Sequence, residues 1–112
     1  MTGTEYQKLA MVTSVFKDKV RTRDELIHAV CGLASEAGEC TGLVQKIYQG
    51  HDLDTDHLKI ELGDVLWFIA EACDYIGCTM DDIMQMNIDK LKARFPQGFE
   101  AERSLHRAEG DI

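Results

Sequence analysis

With 112 residues, 45% of them apolar, the chain is long enough for one hydrophobic core and too apolar for disorder to be the default. Its formal net charge of −8 argues against nucleic acid or an anionic membrane as a partner, because their phosphates would be repelled. The same charge permits a small phosphorylated ligand that arrives with its own cation. The longest apolar run, Val65 to Ala70, is far short of a membrane span, and no secretory signal opens the sequence. Cys31, Cys40, Cys73 and Cys78 show neither a C-x-x-C pair nor zinc-finger spacing. Reduced, buried thiols are therefore expected, and with them a cytoplasmic location.

Every strong periodic signal is helical. Thr4-Glu5-Tyr6-Gln7 has capping-box form and predicts a first helix to about Lys19. A second helix is predicted from near Thr22, with Leu26, Ile27, Val30, Leu33, Ala37, Val44 and Ile47 at helical spacing and Gly50 as its C′ residue. After a polar turn over His51 to Asp54, a third helix starts near Thr55 and stops at Gly77. Thr79 caps a fourth, which Pro96 and Gly98 end. The expected fold is all-α: a four-helix, bundle-like single domain over residues 1–99, oligomerising through its helices. Residues 100–112 read as a charged, loosely held tail.

Two four-residue words stand out, Glu36-Ala37-Gly38-Glu39 and Glu61-Leu62-Gly63-Asp64. Each sets two carboxylates at i and i+3, on one helix face. Each also carries a helix-interior glycine, at a cost of about 0.8–1 kcal/mol relative to Ala, which suggests close approach by a helix or a ligand. The second and third helices should pack as an antiparallel hairpin, and helix rise puts the two words within about one turn of the same level. Four converging carboxylates cannot all stay ionised without cations, and hard oxygen ligands suit Mg²⁺ or Mn²⁺. The plainer reading is a solvated acidic face.

Phe68 lies one turn beyond Asp64 and suits either the core or contact with a nucleobase. Lys46 lies two turns beyond Glu39 on roughly the same face. Asn87, Lys90 and Arg94 form a polar, basic stripe that suits phosphate oxygens, or merely complements the helix dipole. Gly32, Gly38 and Gly42 mark the second helix for close packing, within the chain or across a dimer.

Together the two acidic words, Lys46, the run Asp64-Val65-Leu66-Trp67-Phe68 and the segment from Asn87 to Pro96 resemble one family. It is the MazG-like group of all-α nucleoside triphosphate pyrophosphohydrolases, relatives of the dimeric dUTPases, and the likeness covers about residues 5–99. The resemblance implies magnesium on Glu36, Glu39, Glu61 and Asp64, and triphosphate contacts from Lys46, Asn87, Lys90 and Arg94. It implies cleavage of a nucleoside triphosphate between the α and β phosphates by a homodimer or homotetramer. The general base would come from the first word, by family likeness Glu39 ahead of Glu36. The competing readings are a non-catalytic helical interaction module and a redox-active dinuclear carboxylate protein.

Overall fold

The computed structural model describes residues 1–112 and contains no strand. Its helices are α1 (Gly3–Met11), α2 (Arg23–Gln45), α3 (Thr55–Ile76), α4 (Met80–Arg94) and α5 (Ala101–Leu105). A 3-10 turn, Lys46–Gln49, extends α2. The all-α expectation holds, with a fifth short helix added. The chain divides into two compact units, Met1–Met80 and Asp81–Ile112.

In the first unit α2 and α3 form the main pair, and their partners run in opposite directions along the two helices. Glu25 shares a hydrogen bond with Asp74, and His28 pairs with Glu71. Gly32 faces Phe68, and Glu36 meets Glu61 and Asp64. The pair is thus an antiparallel hairpin. Its turn is made by Gly50, in the left-handed region at φ 93°, and by Asp54, whose carboxylate accepts from the His57 amide at 3.0 Å. Gly77 ends α3 in the same left-handed manner, at φ 79°.

The hairpin's register rests on one tight contact. A Cβ added at Gly32 would lie 2.1 Å from the Phe68 ring, so only bare backbone fits there. This is the close approach the glycines suggested. Gly38, Gly42 and Gly63 instead face open space within this chain.

The first helix begins and ends earlier than its pattern predicts. Its cap is Thr2, not Thr4, with Thr2 Oγ1 accepting from the Glu5 amide at 3.1 Å. It stops at Met11 instead of Lys19 because the Ala10 carbonyl turns to the Thr13 amide, three residues on at 3.1 Å, and is shared with side chains. That oxygen accepts from Thr13 Oγ1 at 2.8 Å and from the Trp67 indole nitrogen at 3.1 Å. The Ser14 amide then turns to the Met11 carbonyl, three residues back, and the helix tightens and ends. The same segment is fixed further on by Gln7, whose amide donates to the Cys78 carbonyl at 3.0 Å and accepts from the Met80 amide at 2.8 Å.

The core is thin. Its buried apolar side chains are Ala10, Ala29, Leu43, Ala70, Cys73 and Met80, mostly small. All four cysteines are free, but only Cys73 is buried; Cys31 is exposed, which corrects the expectation of four buried thiols. The segment expected as a charged tail holds α5, and beyond it Asp111 binds Arg94.

If the Gly32–Phe68 contact sets the register, Gly32→Ala should lower stability by about 1–3 kcal/mol through overpacking. Urea unfolding should also show the double variant Gly32→Ala, Phe68→Leu to be less destabilised than the two single costs combined.

Candidate active site

The hairpin register brings one acidic word onto the other. One carboxylate oxygen each from Glu36, Glu61 and Asp64 lies within 4.8 Å of the other two. Glu61 and Asp64 share a face of α3 by their spacing, and Glu36 sits one turn of α2 beyond Gly32. The Glu36 carboxyl is pushed above its ordinary range, first by desolvation, then by a hydrogen bond shared with Glu61 and by the charges of Asp64, Glu61 and Glu39. Glu39 itself is exposed and stands outside the three-carboxylate group, although its charge is felt there.

This donor set fits a hard divalent cation. Three oxygens converge, and desolvation together with neighbouring carboxylates raises the pKa of one of the carboxyls. The surroundings fix the ligands. His57 Nε2 lies 2.8 Å from Glu61 Oε1, and the Glu61 side chain is only 13% exposed. A hydrogen-bonded neighbour of this kind orients a metal ligand. On the other flank the Tyr6 hydroxyl reaches the Gly63 carbonyl at 3.5 Å, and its pKa is raised by burial and then by Asp64.

Lys46 opens the 3-10 turn and lines a cleft of about 230 Å³ with Leu43, His51, Asp52, Asp54 and His57. Through His57 this cleft adjoins Glu61, so Lys46 and the acidic group belong to one end of the hairpin.

The remaining predicted contacts lie in the second unit. Asn87 and Lys90 are exposed on α4 and line a cleft of about 450 Å³ with Ile83, Met86 and Ile112. Arg94 differs from them. Its Nε and Nη2 donate to the two Asp111 oxygens at 2.8 and 2.6 Å, and Nη2 also donates to the Ile112 carbonyl at 3.2 Å. The guanidinium holds the Asp111 carboxyl below its usual range. In this state Arg94 is engaged by a carboxylate of its own chain.

Phe68 is half-buried, with ring centroids 5.0 Å from Trp67 and 5.6 Å from His28. His28 went unnoticed in the sequence because the four histidines share no spacing. The signal that finds it is positional: His28, Gly32 and Glu36 follow one another at i+4 on the α2 face that meets α3. His57 lies one turn before Glu61 in the sequence, and its contact with that carboxylate is seen only in the structure.

A family profile describing the MazG nucleotide pyrophosphohydrolase domain matches residues 24–99, which include all nine candidate site residues. The Gene 37 protein of Mycobacterium phage L5 is 33% identical over 78 residues, covering 65% of this chain and 68% of the phage protein. No solved structure matches the chain significantly. On the extent of the profile match and the converged acidic words it contains, the chain belongs to the MazG nucleotide pyrophosphohydrolase family.

Proposed function

We propose that the protein hydrolyses a nucleoside or deoxynucleoside triphosphate at the α–β phosphate bond, releasing the nucleoside monophosphate and pyrophosphate. The observation that carries this reading is the group of Glu36, Glu61 and Asp64 within 4.8 Å, with the Glu36 carboxyl held above its ordinary range. These three residues and Glu39 would hold Mg²⁺, with Mn²⁺ as a substitute. Bound there, the cation supplies charge neutralisation of phosphate oxygens and acidification of water.

The chain's own groups do the rest. Glu39, exposed and outside the tight group, is the carboxylate best placed to take the proton of the attacking water, with Glu36 beside it. Water adds at the α-phosphorus as the bond to the bridging oxygen breaks, and pyrophosphate leaves with that oxygen. His57 keeps Glu61 oriented through this step. Lys46 offers its ammonium to phosphate oxygens at the same end of the hairpin. Asn87 and Lys90 serve as further phosphate contacts by family likeness. Arg94 joins them by exchanging Asp111 for phosphate, since both ligands fit its fork.

The same reading includes self-association. Ile27, Val30, Ala34, Ala37, Thr41 and Val44 recur at alternating spacings of three and four along α2, Tyr48 follows in the 3-10 turn, and all are exposed. Such a stripe is the seam of a helix–helix interface, and the face that meets α3 lies opposite. With so few buried apolar side chains in one chain, a homodimer or homotetramer is the arrangement that covers this stripe. The stripe also suits a purely structural dimerisation module, and activity separates the two.

Glu61→Gln and Asp64→Asn should each retain helical circular dichroism yet lose at least about a hundredfold in pyrophosphate release over a panel of nucleoside triphosphates. Full activity in both variants, or in excess chelator, would remove the metal mechanism.

The raised pKa of Glu36 has a defined thermodynamic sign. A proton bound more tightly in the folded state stabilises at low pH, and that stability is lost as the pH rises through the raised value. Relative to Glu36→Gln, the metal-free protein should therefore gain in Tm as the pH falls from neutral toward about 4–5. At neutral pH added Mg²⁺ should raise the wild-type Tm more than that of the variant.

Replacing Val30 and Val44 together by glutamate should reduce the oligomer to a monomer in light scattering at tens of micromolar, roughly the range where moderate interfaces form. Wild-type protein that is monomeric there and fully active would overturn the proposed assembly.

A further inference from the structure

A second network lies on the same α2–α3 seam, two turns from the carboxylates. Glu71 has no solvent exposure at all. Its Oε2 accepts from Ser14 Oγ at 3.1 Å, and its Oε1 pairs with His28 Nδ1. Ser14 Oγ also receives the Phe16 amide at 3.2 Å, which ties the segment after α1 into the network. Taking a carboxylate fully out of water is costly unless its partners are fixed. Here both oxygens are used.

The imidazole is held as firmly as the carboxylate. Its ring centroid lies 5.5 Å from Phe16, 5.6 Å from Phe68 and 6.4 Å from Trp67. Glu71 assigns the proton on Nδ1 and leaves Nε2 without a protein partner. The His28 side chain is 43% exposed, so its outward edge meets solvent although its inner nitrogen is engaged. A ring fixed on three sides by aromatics and on one nitrogen by a buried acid is preorganised to offer the other nitrogen to a ligand.

The placement gives that ligand its chemistry. From Glu36 to His28 is two turns of α2, about 12 Å by helix rise, which is the scale of a nucleotide from its phosphates to the far edge of its base. Phe68 lies between them against Gly32. We propose that His28 reads the hydrogen-bonding edge of the substrate's nucleobase through Nε2, and that Glu71 is the positioning residue that fixes it. The location of the phosphates rests on the pyrophosphohydrolase reading above; the recognition of the base does not require turnover. A base with a hydrogen-bonding group opposite Nε2 is accepted, and one without it leaves a held polar group unpaired and is rejected.

Trp67 is the sole tryptophan and packs on Phe68, so its fluorescence reports occupancy of this place without hydrolysis. Nucleosides and nucleoside monophosphates are titrated into wild type, His28→Ala and Glu71→Gln in the absence of metal. Pyrophosphate release from the common ribo- and deoxyribonucleoside triphosphates is then measured with Mg²⁺. The wild type should show base-dependent quenching. His28→Ala should compress the ratio of kcat/KM between best and worst base by at least about tenfold, and Glu71→Gln should do the same to a smaller degree. A purely structural role would lower Tm and all kcat/KM values together and leave the ratio untouched. An unchanged ratio in folded His28→Ala, or no base preference in wild type by either readout, overturns the proposal. His28 is partly exposed, so His28→Ala carries the test even if Glu71→Gln does not fold. Base-dependent quenching lost in His28→Ala, with no triphosphate cleaved by wild type, would sustain this inference and sink the proposed hydrolysis.

Discussion

The contact of the Phe68 ring with the bare backbone of Gly32 governs the rest of this structure. It locks α3 against α2 at one register, and both polar networks of the seam hang from it. One turn along α2 in one direction it brings Glu36 to Glu61 and Asp64, and one turn in the other it brings His28 to Glu71. A slip of the hairpin by a single turn, about 5.4 Å, would leave a buried carboxylate without its partners and the acidic words out of reach of each other. The helical propensity given up at Gly32 is about 1 kcal/mol, a small cost against the burial of an aromatic ring.

Electrostatics work against the fold where chemistry is to be done. A chain of net charge −8 gathers three carboxylates, with a fourth bearing on them, at one end of the hairpin. Desolvation, and after it the hydrogen bond with Glu61 and the neighbouring negative charges, raises the Glu36 pKa, and few apolar side chains are buried to offset the cost. Any cation that bound such a site would offset this repulsion and stabilise the fold as it bound.

Much of this was legible in the sequence, for local reasons. Gly77 ends α3 at positive φ where the pattern put it, while α2 ends at Gln45 and Gly50, also at positive φ, closes the 3-10 turn that follows. The meeting of the two acidic words followed from helix rise and a short turn. What failed was decided by residues far away in the chain. The first helix ends at Met11 in part because an indole 57 residues on shares the Ala10 carbonyl, and no local pattern records that. His28 depends on a partner 43 residues away. Arg94 lay on the expected stripe, yet its fork is taken by Asp111, a residue in a segment that reads only as charged. Three of the four helix-interior glycines, read as marks of close packing, face open space within this chain.

The separations that defeated local reading also order the assembly of the first unit in time. The hairpin closes through a short turn, so its loop-closure cost is small and it can form early. Every tie from α1 to α3 and the start of α4 spans more than 50 residues, through Tyr6, Gln7, Ala10 and Thr13. The N-terminal helix therefore docks last and, by the same energetics, is the first part to come away in native-state fluctuations. Because Ser14 and Phe16 follow it directly, each such excursion uncovers Glu71 while the acidic words stay together. The acidic end of the hairpin then belongs to the slow-exchanging half of the unit, and the aromatic enclosure around His28 to the fast one.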